Sequence, residues 1–376
     1  MKKITFLMLH LNYGGIEKQV TTLANKLASN YDIEIISFYD ILGNSFYNLD
    51  DRIKVRYIFN RGPNKKEILN CLKKFKVKEF FKELGLGIKM LYTKYFKIKD
   101  IVNELDTDIL ISSRIEFSRQ IKRNDIPVIS QEHSYINTNA YKRKVKKSFK
   151  NVDYLVVMTE KAKKLYEGWF RECKRRPRVI LIPNMIDDYN GKGTNLHNKQ
   201  IVSVGRLEEV KDFSSLIDVY NLVYKKYPDW SLKIIGEGSK RKDLEKQISN
   251  LGLKNNVILT GRLTSDKIAE ELDNSSIFVL TSKSESFSLV LVEAMSHNIP
   301  CVSYDIDVGP KEIITNKEDG YLIEDRSKRQ MADTIISLIE DSVKRVEIGT
   351  KARKTSEKYF ASNIANEWID FFEKKI

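Results

Sequence analysis

Cysteine is scarce in this chain. Three occur among 376 residues, Cys71, Cys173 and Cys301, spaced about a hundred positions apart. That spacing forms neither a disulfide framework nor a metal-type cluster, and it points to a reducing cytoplasm. Long apolar runs are missing as well: none approaches the roughly 20 residues a membrane-crossing helix requires. A signal peptide is not favoured at the start, "MKKITFLMLHLNYGG", where the apolar run covers only Ile4 to Leu9 and no small-residue cleavage site follows. It reads as a first buried strand. Acid is also in short supply, with 51 Asp and Glu against 65 Lys and Arg, a formal charge of +14.

What is present describes a folded α/β protein. Hydrophobic residues make up 41% and charged residues 31%, a soluble globular composition rather than a disordered one. The length favours two domains over one core. Short β-branched runs, such as Ile4 to Leu9, Ile33 to Phe38, Ile201 to Val204, Leu232 to Ile235 and Ile277 to Leu280, alternate with amphipathic stretches such as "GIEKQVTTLANKLASN" and "DFSSLIDVYNLVYKKY". Such alternation predicts parallel sheets with crossover helices, a doubly wound architecture, with too many strands for one sheet. The segment "PNMIDDYNGKGTNLHNKQ", Pro183 to Gln200, lacks apolar periodicity and falls near the middle. Two Rossmann-like domains facing across a cleft are therefore expected, over residues 1–186 and 195–357. The tail, 361–376, is expected as an amphipathic helix with Ile364, Trp368, Phe371 and Phe372 on one side.

The positive charge is concentrated. Residues Asn64 to Asp100 hold eleven lysines against four acids, and "YKRKVKKSFK", Tyr141 to Lys150, holds six basic residues and no acid. Nucleic acid and an anionic membrane are the partners such patches imply. Apolar residues at 81, 84, 88, 91, 95 and 98 form a helical stripe with lysines off it. One reading is a core-packing helix with a solvated basic face. Basic residues interleaved with Phe and Tyr also suit an interfacial helix on anionic lipid. No nucleic-acid module is visible, so the membrane surface is the expected partner.

The chemistry concentrates in "SKSESFSLVLVEAMSHNIPC", Ser282 to Cys301. Glu293 lies among aliphatic side chains, and a buried carboxylate is costly unless something pairs with it. Glu285 stands eight positions earlier, in a loop expected at the carboxyl edge of a parallel strand, where open α/β sheets bind ligands. A helix beginning near Phe287 or Ser288 would leave the amides of Phe287, Ser288 and Leu289 free to receive an anion. Two carboxylates for diols, with a phosphate site between, describe a nucleotide sugar. The plain alternative makes Glu285 a capping acid and Glu293 a solvated helix residue.

"ESFSLVLVEAM" resembles the glutamate–seven residues–glutamate motif of glycosyltransferase family 4, retaining enzymes of the GT-B fold. "GGIEKQVTTLA" resembles that family's glycine-rich acceptor-side loop, "VGRLEEVKDF" its arginine-and-lysine diphosphate clamp, and "IIGEGSKRKDLE" its next strand–glycine–helix unit. The resemblance implies that Arg206 and Lys211 bind the donor diphosphate, that Glu285 contacts sugar hydroxyls and Glu293 the ribose. It also implies that Phe287, Ser288 and Leu289 offer main-chain amides, that Gly14 and Gly15 serve the acceptor side, and that His133, in "VISQEHSYIN", lies near the donor sugar. His10, His197 and His297 are read as structural or surface residues. The sequence departs from the family at Ser286, Ser288 and Asn298, where glycine is frequent. The tail resembles the family's helix that crosses back to the first domain.

No cofactor is expected beyond the nucleotide-sugar donor, a UDP-sugar by this reading, and no metal. "DTD" (Asp106 to Asp108) lies on the wrong edge of its strand. "DID" (Asp305 to Asp307) follows a strand, but the cations at Arg206 and Lys211 already neutralise charge. The expected partners are the donor, a lipid-linked saccharide acceptor and an anionic membrane surface, with no nucleic acid. The expected location is the cytoplasmic, inner face of the cell membrane. A nucleotide-sugar epimerase or a glucan phosphorylase of the same fold is the alternative activity, and a non-enzymatic basic binding protein is a third reading.

Overall fold

A computed structural model describes every residue of the chain except Leu42 and Asn44. The chain divides into two compact units, one formed by Met1–Pro183 with Ala365–Ile376, the other by Asn184–Ile364.

The first unit is built on strands β1 (Lys3–His10), β2 (Asp32–Tyr39), β3 (Lys54–Phe59), β4 (Ile109–Ser112), β5 (Val128–Glu132), β6 (Tyr154–Val157) and β7 (Arg178–Leu181). Among the described residues these form one seven-stranded sheet in the order β3-β2-β1-β4-β5-β6-β7. Neighbouring strands all run parallel. Crossover segments carry helices α1 (Gly15–Leu27), α2 (Lys65–Lys73), α3 (Val77–Tyr92), α4 (Ile98–Asn103), α5 (Ile115–Ser118), α6 (Asn139–Ser148) and α7 (Glu160–Phe170). Covered on both faces, the central strands read as continuous apolar runs, and β4 and β6 are buried at every position. Helix α1 buries Val20, Leu23, Ala24 and Leu27 at helical spacing.

The second unit repeats the plan with β8 (Gln200–Val204), β9 (Ser231–Ile235), β10 (Val257–Gly261), β11 (Ile277–Leu280), β12 (Cys301–Tyr304) and β13 (Tyr321–Ile323). Their order is β10-β9-β8-β11-β12-β13, again parallel. Its helices are α8 (Phe213–Tyr224), α9 (Arg241–Asn250), α10 (Ser265–Asp273), α11 (Leu289–Ser296), α12 (Pro310–Ile313), α13 (Lys328–Glu340) and α14 (Ser342–Glu357). In each sheet the direction of winding reverses between two neighbours, β1 and β4 in the first, β8 and β11 in the second. Chains leaving the carboxyl ends of those two strands diverge to opposite faces and open a crevice between them.

The last helix, α15 (Ala361–Lys375), belongs to the first unit from Ala365 onward. Ile364, Trp368, Phe371 and Phe372 are all buried. The stripe expected over 81–98 behaves differently from a core-packing helix. Helix α3 ends at Tyr92, a π-helical turn covers Thr93–Lys97, and α4 follows. Phe81, Ile88, Leu91 and Tyr95 of the stripe are exposed, and only Ile98 at its end is buried. Inside α3, a side chain at Gly87 would stand 3.0 Å from Oδ1 of Asn64, so the glycine lets α2 and α3 approach closely.

Candidate functional site

At the reversal in the second sheet, two loops meet. The loop after β8 carries Gly205, Arg206 and, in a single 3-10 turn, Lys211; the loop after β11 carries Ser282 and Glu285. The Lys211 ammonium donates to Oε1 of Glu285 at 2.6 Å, and both side chains are largely withdrawn from water. The Ser282 hydroxyl donates to the same oxygen at 2.6 Å. Backbone bonds fasten the loops as well. Lys283 N–H donates to the Val210 carbonyl at 2.8 Å, and the Thr281 hydroxyl donates to the carbonyls of Lys211 and Asp212, both at 3.1 Å. The sequence brought Lys211 and Glu285 forward separately, and the fold makes them one ion pair.

Two further parts of this edge were not legible beforehand. Arg326 donates to the carbonyls of Ser282 (2.8 Å) and Thr281 (2.9 Å) and to Oδ2 of Asp212 (2.6 Å), with its guanidinium 4.3 Å from the centre of the Tyr304 ring. It ties both loops to a third segment. A lone arginine 41 positions beyond the glutamate gives no sequence signal of that role. Gly309, at φ 90°, lies so close that an added Cβ would stand 2.8 Å from the Phe287 carbonyl oxygen and 2.9 Å from the Ser288 hydroxyl. A glycine after "DIDV" was the available clue.

Helix α11 begins at Leu289, with Ser288 before it in the left-handed region (φ 85°, ψ 61°). Phe287 and Ser288 are buried, and the Ser288 hydroxyl has no hydrogen-bond partner among the described residues. Glu293 follows one turn into the helix and is partly buried, between fully buried Val292 and Ala294. Arg206 lies just beyond β8 and is exposed. Its neighbour Glu208 accepts from the Ser239 backbone (3.0 Å) and hydroxyl (2.7 Å). These bonds, helped by the charge of Arg206, hold the Glu208 carboxyl below its usual range. In the same corner, Gly236 at φ 149° passes so near Gly205 that a Cβ would sit 1.9 Å from its carbonyl oxygen. Asp305 follows β12 and accepts from Lys311 at 2.8 Å. Asp108 receives the Lys3 amide at 2.7 Å at the opposite, amino edge of the first sheet.

The first sheet repeats the arrangement at its own reversal. Gly14 and Gly15 open α1 after β1, and the Tyr47 hydroxyl lies 3.2 Å from both the nitrogen and the oxygen of Gly14. Two residues on, buried Glu17 receives Arg114 at 2.8 Å, and Arg114 stands just past β4. Nδ1 of His10 is 3.5 Å from the same carboxylate oxygen. His10, read from the sequence as structural or surface, thus sits beside the Glu17–Arg114 pair. Burial pushes its pKa below the ordinary value, Glu17 works in the opposite direction, and Arg114 adds to the lowering.

His133 lies immediately after β5, partly buried. Beside it Glu132 is nearly fully buried and accepts from the Tyr141 hydroxyl (2.7 Å) and the Ser134 amide (2.9 Å). Burial raises the Glu132 pKa despite those bonds, and burial and the nearby carboxylate raise that of Tyr141.

Two doubly wound parallel sheets, each with charged groups gathered where its winding reverses, define the GT-B class. The chain belongs to the glycosyl transferases group 1 family, whose model matches residues 187–355. It is 31% identical to an uncharacterized glycosyltransferase of Haemophilus influenzae, over 98% of this chain and 99% of the relative. It is 30% identical to an exopolysaccharide phosphotransferase of Streptomyces coelicolor, over the whole of this chain but only 41% of that relative's length. In fold it is similar to a TarM variant from S. aureus, crystallised with fondaparinux, alpha-GlcNAc-glycerol and UDP. That likeness has a TM-score of 0.75 and 20% identity, and it covers 99% of this chain and 100% of the other.

Proposed function

We propose that the chain is a retaining hexosyltransferase of glycosyltransferase family 4. In this reading it moves a sugar from a UDP-sugar to a lipid-linked or polysaccharide acceptor in cell-surface glycan synthesis. The observation that carries the reading is the Lys211–Glu285 pair at the carboxyl edge of the second sheet. Of the three N–H donors of an ammonium, Lys211 uses one on Glu285, which leaves two for a diphosphate. With Arg206 it neutralises the charge that grows on the departing nucleoside diphosphate. Glu285, held by Lys211 and Ser282, accepts from sugar hydroxyls, while the amides of Phe287, Ser288 and Leu289 receive sugar and phosphate oxygens. Glu293, deeper in α11, binds the ribose diol. His133 approaches the donor sugar, and Gly14 and Gly15 admit the acceptor backbone-close. In our reading the acceptor attacks the face from which the diphosphate leaves, so anomeric configuration is kept. The nucleotide domain is assigned to residues 195–357 and the acceptor domain to 1–186 with 361–376.

Among the described residues no helix is long and apolar enough to cross a membrane. Exposed Leu72, Phe75, Val77 and Phe81 on and between α2 and α3, surrounded by lysines, support attachment to an anionic inner membrane face. A thermal-shift panel tests the donor. UDP at a hundred times its dissociation constant stabilises by about 2.7 kcal/mol. If no nucleotide or nucleotide sugar raises the melting temperature, the proposal fails.

A further inference from the structure

The two basic segments, far apart in sequence, share the wall of one cavity in the first unit. It measures about 650 Å³ and is lined by Tyr95, Phe96 and Lys99 from the π turn and α4, Arg119 and Lys122 after α5, and Lys144 from α6. Four cations therefore face one lining carboxylate, Glu116, which Lys144 already approaches at 3.6 Å. The cavity has the size of an ordinary ligand site.

Three features make it more than a basic surface. The π turn inserts one residue into a helix, a distortion that recurs at functional sites, and here it leaves Tyr95 and Phe96 exposed on the rim. Gln120 holds that turn in place, donating to the Lys94 carbonyl at 2.6 Å and to the Glu116 carbonyl at 3.1 Å. Its Oε1 is nevertheless buried with no hydrogen-bond partner among the described residues, an acceptor in a wall where a hydroxyl would satisfy it. Finally, α5, which supplies Ile115 and Glu116 to the lining, starts directly after Arg114, the partner of Glu17 in the first turn of α1, next to Gly14 and Gly15. The cavity thus adjoins the acceptor side of the proposed enzyme.

We propose that this cavity binds a stretch of an anionic glycan chain, one whose sugars carry phosphate or carboxylate groups, and feeds it toward the glycine loop as acceptor. The aromatic rim offers apolar faces for sugar rings, and the cations pair with the chain's charges. This rests on the glycosyltransferase reading above. It is separate from membrane attachment, which uses exposed apolar residues 72–81 rather than the π turn.

The test titrates the full-length protein with an oligogalacturonate, a phosphodiester-linked oligosaccharide, a dextran of equal length, a single-stranded oligonucleotide and phosphatidylglycerol vesicles. At least one anionic glycan binds and dextran does not. The K99A/R119A/K122A variant, whose altered side chains are exposed and whose melting temperature stays unchanged, binds that glycan roughly tenfold more weakly. Y95A/F96A also weakens it and binds vesicles as the wild type does, and both variants respond to UDP as the wild type does. The proposal is overturned if neither anionic glycan binds, if the triple variant binds glycan like the wild type, or if it loses the oligonucleotide or the vesicles by a larger factor than it loses the glycan. A wild-type protein that ignores UDP sinks the donor reading instead, so the two failures are distinct.

Discussion

Lys211 carries the largest share of the proposed chemistry, because it is fixed to Glu285 and still has donors to spare. Replacing it by alanine removes the cation and leaves Glu285 with only the Ser282 hydroxyl. We expect Lys211→Ala to lower kcat by about 10²–10³-fold, as loss of one preorganised charge-stabilising group does elsewhere, and to lower the melting temperature as well, because a mostly buried carboxylate loses its cation. A folded Lys211→Ala or Glu293→Ala variant with full transfer activity would remove the basis for the donor site. At the other reversal, His10 gives a prediction about pH. Its folded-state pKa lies below the ordinary 6.5, with burial as the main cause. As pH falls below 6.5 the unfolded chain takes up a proton that the folded chain resists, so stability drops toward acid and is unaffected well above 6.5. Urea midpoints measured at pH 8 and pH 5.5 should fall more for the wild type than for His10→Gln. An equal fall would mean that the imidazole beside Glu17 and Arg114 is not held neutral.

At the scale of elements, the backbone around the helix start at Leu289 shows how serine and asparagine fit where the resemblance to family 4 implies glycine. Ser288 and Asn298 both adopt positive φ, 85° and 65°, so the backbone makes the left-handed turn although neither residue is glycine. Asn298 tolerates this readily and its side-chain oxygen receives Arg353 at 3.2 Å. Ser288 has no such compensation. Its hydroxyl is buried without a partner among the described residues, so Ser288→Gly should relieve both defects and stabilise the protein by about 1 kcal/mol in urea unfolding. Gly309→Ala should do the opposite and weaken UDP binding, since the new methyl would press on the Phe287 carbonyl. Much of this unit was legible because parallel strands buried on both faces announce themselves as runs such as "IFVL", and because Glu285 and Lys211 lie in loops directly behind such runs. What stayed hidden depended on long-range closure. Glu17, Arg114 and His10 come from three separate segments, and only the adjacency of β1 and β4 unites them. Arg326 likewise acts through backbone carbonyls that no spacing reveals. The π turn was invisible for a different reason: a one-residue insertion leaves the apolar spacing looking helical while turning Tyr95 and Phe96 outward.

For the whole molecule, the governing quantity is where the charge of +14 resides. The windows 64–100 and 141–150 contribute +7 and +6, so the rest of the chain is close to neutral. Both belong to the first unit, which therefore presents a strongly basic surface while the second unit does not. If the proposed membrane attachment holds, long-range attraction to anionic lipid, on the order of 1 kcal/mol for each lysine near the surface, acts mainly on the first unit. Charge alone gives reversible contact that salt screens within about 10 Å. In the proposed attachment, holding requires apolar insertion, for which Phe75, 90% exposed in the turn between α2 and α3, and exposed Val77 and Phe81 are the candidates. Met90 and Ile98, buried in the first unit's core, anchor the same segment to the sheet, so the insertion does not have to order a loose peptide. The protein should therefore sediment with phosphatidylglycerol vesicles and not with phosphatidylcholine vesicles, and high salt should release most of it. Phe75→Ser with Phe81→Ser should weaken vesicle binding by about 10²-fold, the effect of withdrawing two large apolar side chains from lipid. The melting temperature should not move, because both side chains already face solvent. Undiminished vesicle binding by that double variant would leave electrostatics as the whole of the attraction, and the helical hairpin α2–α3 would then have no part in membrane attachment.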